Sequence, residues 1–94
     1  MIALDRGPRF PLGRVVITRR ASTVIPRQDV MAALERFARG DWGEVDRHDA
    51  AQNEQALQDG RRLLSVFYNS RGVSFWIITE ADRSVTSVIL PDEY

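Results

Sequence analysis

The sequence predicts a single α+β domain over residues 1–94, an antiparallel sheet with two helices packed on one face. A β-branched run near the start, two helical patterns in the middle and three apolar runs at the end predict the order β-α-α-β-β-β. The last three runs form a C-terminal three-stranded meander. Ninety-four residues, 44% of them hydrophobic, suit one small folded domain with a modest core.

The N-terminal half contains a lead-in, one strand and one helix. Residues 1–12 form an irregular lead-in, because glycine and proline recur there and discourage regular structure. Val15–Thr18 is a β-branched run and predicts the first strand. Pro26 suits a first helical turn, and Gly40 suits the end of that helix. Between them one apolar stripe consists of Val30, Met31, Leu34, Phe37 and Ala38.

A second helix is predicted from Asp46, which can cap its first turn, through Gly60. Its apolar face is thin, with Ala50, Ala51 and Leu57 and little else. A helix this polar is mostly solvated or lies against a partner.

The C-terminal third reads as the meander, with strands predicted at Leu63–Tyr68, Val73–Thr79 and Val85–Leu90. Along the middle strand Phe75 shares one face with Ile77, while Trp76 points to the other face. Both faces are apolar, so this strand should be central. The face away from the helices is then partly covered or available to a partner.

Charge is unevenly distributed in a chain whose formal net charge is zero. Residues 1–39 carry eight arginines against three acidic residues, and residues 40–60 carry six acidic residues against one arginine. All 13 basic residues are arginine. Two interpretations stay open: the protein has a basic face and an acidic face, or the two segments pair with each other.

The segment Glu80–Ser84 concentrates charged side chains between two apolar runs. Glu80 and Asp82 could act as an acid/base pair with Arg83 binding an anion and Ser84 as nucleophile. The favoured interpretation is a hairpin loop in which Asp82 bonds the nearby backbone and Arg83 pairs with a carboxylate. The chain has one histidine, His48, and it falls in the polar helix, far along the chain from this segment. No catalytic residue is therefore assigned.

Other ligand classes are disfavoured. Without cysteine or a second histidine the sequence predicts no metal site and no cofactor. A pI of about 6.6 and the lack of a glycine-rich phosphate cradle argue against direct nucleic-acid binding. No apolar run reaches the roughly 18 residues of a membrane span, and the N-terminus does not match a secretory signal. A cytoplasmic location is expected.

The sequence resembles a family of short bacterial proteins that are carried on plasmids and other mobile elements and labelled plasmid-related protein. Some members are labelled as a type I restriction endonuclease subunit. The resemblance covers residues 12–20 and 39–94, through "LGRVVIT", "GDWGEVD", "NEQALQDGRRLLSVF" and "FWIITEADRSVTSVILPDEY". It implies no catalytic residue. It does imply a genomic setting in which small proteins often act on host defence machinery.

The leading hypothesis is a non-enzymatic interaction module of a mobile element, an inhibitor of the anti-CRISPR or antirestriction type that blocks a surface of a nucleic-acid-binding defence complex. Trp42 is either an anchor of that interface or a plug at the corner between the helices. The alternative is a toxin–antitoxin component or small ribonuclease that uses Arg83, Glu80 and His48. A third interpretation is a homodimer through the last strand or the open sheet face. The candidate partner surface comprises Asp41, Trp42, Glu44, Asp46, Asp49, Glu54, Asp59, Trp76, Glu80, Asp82 and Arg83.

Overall fold

A computed structural model describes residues 7–94, which form a mixed four-stranded sheet with helices, in the predicted order β-α-α-β-β-β with one additional short helix. The α+β class is confirmed. The elements are β1 (Arg14–Ile17), α1 (Arg19–Val24), α2 (Arg27–Ala38), α3 (Arg47–Asp59), β2 (Leu63–Tyr68), β3 (Ser74–Thr79), β4 (Val85–Ile89) and a final 3₁₀ turn (Pro91–Glu93).

The sheet order is β1-β4-β3-β2. Strands β2, β3 and β4 form the predicted antiparallel meander. The first strand departs from the all-antiparallel expectation, because β1 lies parallel to β4, with Arg14 opposite Val85 and Ile17 opposite Val88. A β-branched run indicates that a segment is extended, but the direction of its pairing depends on where the intervening helices return the chain.

Helix α1 occupies the segment between the predicted first strand and Pro26, for which the sequence predicted neither helix nor strand. The Thr18 hydroxyl caps it by accepting a hydrogen bond of 3.1 Å from the Ala21 backbone N–H. Ile25 then takes an extended conformation before Pro26, as expected for a residue that precedes proline. Helix α3 begins and ends as predicted, capped by Asp46 and by Gly60 in the left-handed conformation.

The core lies between α2 and α3 and the inner face of the sheet. Phe67 and Phe75 are stacked neighbours on this face, and Leu63 and Ile77 are fully buried beside them. A second aromatic cluster closes the core, because the Phe37 ring of α2 contacts both Phe10 and Trp42 edge-on. The lead-in therefore contributes to the core through Phe10, although its residues 7–12 contain no helix or strand and residues 1–6 lie outside the described part.

The buried polar groups on the inner face bond to one another. The hydroxyls of Thr79 and Thr86 are 2.7 Å apart, and Thr86 is also 2.6 Å from the Leu12 carbonyl oxygen. Both threonines are fully buried, so these bonds replace the water that the hydroxyls lose on folding. They also fasten the end of the lead-in to β4.

Candidate protein-interaction site

A groove of about 470 Å³ runs between α3 and the outer face of the sheet, the face away from the core. Two residues that the sequence assigned to a partner surface meet here, Asp49 at the rim and Trp76 at the floor. The other lining residues are Val45, Gln52, Asn53, Arg61, Arg62, Leu64 and Val66. The lining is thus part apolar and part polar, as in many protein-binding surfaces.

The floor is held in place by the C-terminal residue. Trp76 is half-buried on β3, and its ring lies 5.0 Å from that of Tyr94. The guanidinium of Arg62 stands 5.3 Å from the Tyr94 ring centre and donates a hydrogen bond to the Tyr94 hydroxyl. Arg62 is thereby engaged on Tyr94. The indole of Trp76 is the largest apolar side chain that lines the groove.

The rim is acidic. Asp49 and Glu44 are exposed, and neither carboxylate makes an ion pair with residues 7–94. Glu44 lies beside the groove because its backbone N–H donates to the Val66 carbonyl at 2.7 Å. Asp46 is also exposed, and its carboxylate accepts a hydrogen bond of 2.8 Å from the Asp49 N–H as the helix cap.

Three other predicted acidic residues are engaged within the molecule. Glu54 accepts two hydrogen bonds of 2.8 Å from Arg9. Asp41 binds Arg36 at 2.7 Å, and Asp59 lies 3.4 Å from Arg61.

The hydrogen bonds from the arginines lower the pKa of Glu54 and of Asp41 below their ordinary values. Arg9 and Arg36 belong to the arginine-rich segment 1–39, so part of the charge asymmetry is internal pairing. The remainder, on the first turn of α3 and the loop before it, faces solvent.

Trp42 is not part of the exposed surface, contrary to its inclusion among the partner-binding residues. Only 6% of it is exposed, and it packs between Phe10 and Phe37. Its indole N–H donates a hydrogen bond of 2.9 Å to Glu54. It acts as the plug that the sequence offered as the other interpretation.

The segment Glu80–Ser84 is a turn. Asp82 accepts hydrogen bonds from the Ser84 backbone N–H at 3.0 Å and from its hydroxyl at 2.6 Å, and these bonds lower the pKa of Asp82. Glu80 is exposed.

Arg83 was expected to pair with a carboxylate, and it does not. Its guanidinium donates to the backbone carbonyls of Ala56 at 3.1 Å and Arg61 at 2.7 Å. The turn is thereby tied to the C-terminal end of α3.

The three residues of the ribonuclease alternative do not converge. His48 is exposed in the first turn of α3, whereas Arg83 contacts Ala56 near the other end of that helix. Eight helical residues separate those ends by about 12 Å. Within residues 7–94, no three histidine or acidic side chains lie close enough together to hold a metal ion.

The sequence did not point to Arg62, Tyr94 or the edge residues Leu64 and Val66 as parts of one site. The sequence carries only a weak indication of this site, which is the aromatic residue that follows two acidic residues in "DEY". Their proximity depends on the 3₁₀ turn, which returns Tyr94 across the outer face to Trp76.

Comparison with known proteins finds no match among family models, curated proteins or solved structures. Among residues 7–94, no helix has the length and apolar character needed to cross a membrane.

Proposed function

We propose that this chain is a non-enzymatic protein-interaction module of a mobile genetic element, and that it acts as a counter-defence inhibitor of the anti-CRISPR or antirestriction type. It binds a partner protein and blocks one of its surfaces. The observation that supports this most directly is the groove beside α3, where Trp76 forms an apolar floor and Asp49 an acidic rim.

The side of the groove that Asp49 lines suits an arginine side chain of the partner, since the two arginines of the lining are engaged elsewhere, Arg61 with Asp59 and Arg62 with Tyr94. A guanidinium can lie flat on the indole of Trp76, while its N–H groups bond to a carboxylate such as Asp49. Glu44 and Asp46 add negative potential on the same side. Because neither Asp49 nor Glu44 has an ion-pair partner among residues 7–94, no internal salt bridge must break when the partner binds.

Arginine-rich surfaces are the usual binding sites for nucleic-acid backbones. An acidic protein surface that occupies such a site excludes the nucleic acid without cutting it, and long-range attraction between the opposite charges speeds the encounter. The sequence resembles a family whose members are carried on plasmids and other mobile elements. This resemblance supports a nucleic-acid-binding defence complex as the partner.

The test is plasmid transformation or phage plating in hosts with and without an active CRISPR or restriction system. Expression of the chain should raise the efficiency in the defended host and leave the undefended host unchanged. Asp49→Arg and Trp76→Ala should both abolish this effect.

Glu35→Arg is the matched control, because it reverses an exposed acidic charge on α2, outside the candidate partner surface. It should keep full activity. The proposal is wrong if the chain protects against neither kind of defence, or if Asp49→Arg and Trp76→Ala inhibit as well as the unchanged chain.

A further inference from the structure

The two edges of the sheet differ. The β2 edge is closed, because the side-chain amide of Asn53 bonds to both the backbone C=O of Leu64 at 2.9 Å and its N–H at 3.2 Å. Further along the same edge, the Glu44 N–H bonds to the Val66 carbonyl at 2.7 Å. Closing an edge in this way prevents another strand from pairing with it.

The β1 edge is open within the described part of the chain. The N–H groups of Arg14 and Thr18 donate to the carbonyls of Ser84 and Val88, at 2.9 and 3.1 Å. Backbone groups alternate in direction along a strand, so Val16 also faces β4, whereas Val15 and Ile17 direct their N–H and C=O groups outward. The last strand, β4, is interior and cannot serve as a dimer edge as the sequence analysis suggested.

The side chains along this edge are apolar and exposed. Val15, Val16 and Ile17 are 40%, 37% and 39% exposed. Valine and isoleucine are among the residues most often buried in folded proteins, so three exposed in a row are unusual. Met31 of α2 is 52% exposed beside them, between a cavity of about 490 Å³ that Val15 lines and a smaller one that Ile17 lines. An uncovered edge of this composition readily accepts another strand.

We propose that the occupant of the β1 edge is a second copy of this chain, with the two β1 strands antiparallel about a two-fold axis at Val16. The outward-facing groups set the register. Val15 of one copy pairs with Ile17 of the other, and the two-fold axis repeats this pair with the copies exchanged. Each pair exchanges two backbone hydrogen bonds, which gives about four in total. Val16 then meets Val16 of the second copy in a non-hydrogen-bonded position, where the Cα atoms are about 4.5 Å apart.

Charge complementarity favours a second copy over an unrelated strand. The same register sets Arg14 of one copy opposite Thr18 of the other. The Thr18 hydroxyl donates a hydrogen bond of 2.7 Å to the carboxylate of Glu93, which makes no ion pair with residues 7–94, whereas the neighbouring Asp92 is paired with Arg20 at 3.0 Å. The guanidinium of Arg14 makes no ion pair with residues 7–94 either, so it can reach the carboxylate of Glu93 across the axis. The two-fold axis forms this contact twice.

The dimer would contain one continuous sheet of eight strands. Its two outer edges would be the closed β2 edges, about 34 Å apart at the usual spacing between strands. The groove beside α3 lies at those outer edges and stays accessible. This inference therefore does not rest on the proposed function.

Single-cysteine crosslinking tests the register, because the chain contains no cysteine of its own. Under mild oxidation Val16→Cys should give mostly disulfide-linked dimer on a non-reducing gel, since about 4.5 Å between Cα atoms falls within the range for a disulfide. Val15→Cys is the matched control, because Val15 is about as exposed as Val16. In the proposed register Val15 lies opposite Ile17 of the second copy and not opposite Val15, so this variant should remain mostly monomer.

Sedimentation or light scattering of the unmodified chain tests the dimer itself. We expect twice the 10.7 kDa mass of one chain. Val16→Arg should give the monomer mass with an unchanged circular dichroism spectrum, because two like charges then meet at the axis. A monomer at all concentrations, or crosslinking through Val15→Cys as efficient as through Val16→Cys, would overturn the proposal. Dimerisation that survives Val16→Arg would also overturn it.

Discussion

The side chain of Asn53 pairs with Leu64 as a neighbouring strand would, accepting a hydrogen bond from its N–H and donating one to its C=O. Asn53 is 95% buried, and its amide also lies 3.4 Å from the Ser65 hydroxyl. One residue of α3 therefore provides hydrogen-bond partners for the outward-facing N–H and C=O of Leu64, and it links the helix to the edge of the sheet. Four predictions concern contacts of this kind.

Asn53→Ala should lower the free energy of unfolding by about 2 kcal/mol, because two backbone groups in a part-buried position lose their partner. Urea denaturation followed by tryptophan fluorescence measures this. Gln52→Ala, its exposed neighbour on the same helix, should change the value by less than about 0.5 kcal/mol. Equal effects of the two substitutions would show that the Asn53 amide contributes nothing specific.

Glu54 should make stability depend on pH. Its pKa is lowered in the folded state, chiefly by the hydrogen bond from Arg9 and also by that from Trp42. The stabilisation is therefore present above the unfolded pKa of about 4.5 and is lost as the pH falls through the folded pKa. Because both partners are nearly half exposed, the contribution should be about 1 kcal/mol or less.

The measurement is a series of urea denaturations between about pH 7 and pH 3 on the unchanged chain and on Glu54→Gln. Glutamine cannot ionise, so the variant should lose less stability across this range. Asp41, whose pKa Arg36 lowers in the same way, should account for part of the remaining slope. Identical slopes for the two proteins would contradict the assignment to Glu54.

Arg83→Ala should lower the free energy of unfolding by about 1–2 kcal/mol, since the carbonyls of Ala56 and Arg61 lose a charged donor. Arg83 has φ of 62°, a conformation that favours glycine, so Arg83→Gly should be less destabilising than Arg83→Ala. Chemical denaturation of both variants decides the order. The reverse order would mean that the backbone at this turn is not under strain.

Gly13→Ala should be more destabilising than Gly60→Ala. Both glycines have positive φ, 65° and 71°, so both substitutions introduce strain of about 1–3 kcal/mol. A Cβ at Gly13 would also overlap the backbone carbonyls of Arg83 and Ser84, whereas no atom lies within 4 Å of one at Gly60. Thermal unfolding midpoints compare the two, and a lower midpoint for Gly60→Ala would contradict the close approach at Gly13.

Local pattern was enough for most of the elements. The caps of α3 at Asp46 and Gly60 were predicted as they stand, because a short polar side chain before a helix and a glycine after it act through neighbouring backbone groups. The Asx-type bonding of Asp82 to Ser84 was predicted for the same reason. Helix α1 was missed, although Thr18 offered a cap, because six residues that include Thr23 and Val24 carry little helical pattern.

Long-range partners were not predictable in this way. Arg83 was expected to bind a carboxylate and instead binds carbonyls of Ala56 and Arg61, because the hairpin folds back against the end of α3. The sequence left both an exposed and a buried position open for Trp42. In the structure Trp42 is buried, because Phe10 of the lead-in stacks on it. Asp49 and Trp76 meet only because α3 lies along the edge of β2.

By itself, the sequence determined the α+β class, the meander and the bounds of the two longer helices, since periodicity and capping depend on residues only a few positions apart. Tertiary structure alone decided that β1 runs parallel to β4, which acidic residues are neutralised by arginine and which edge of the sheet stays open. Each of these depends on which distant segments come into contact, and charge and hydrophobicity permit several pairings until packing selects one.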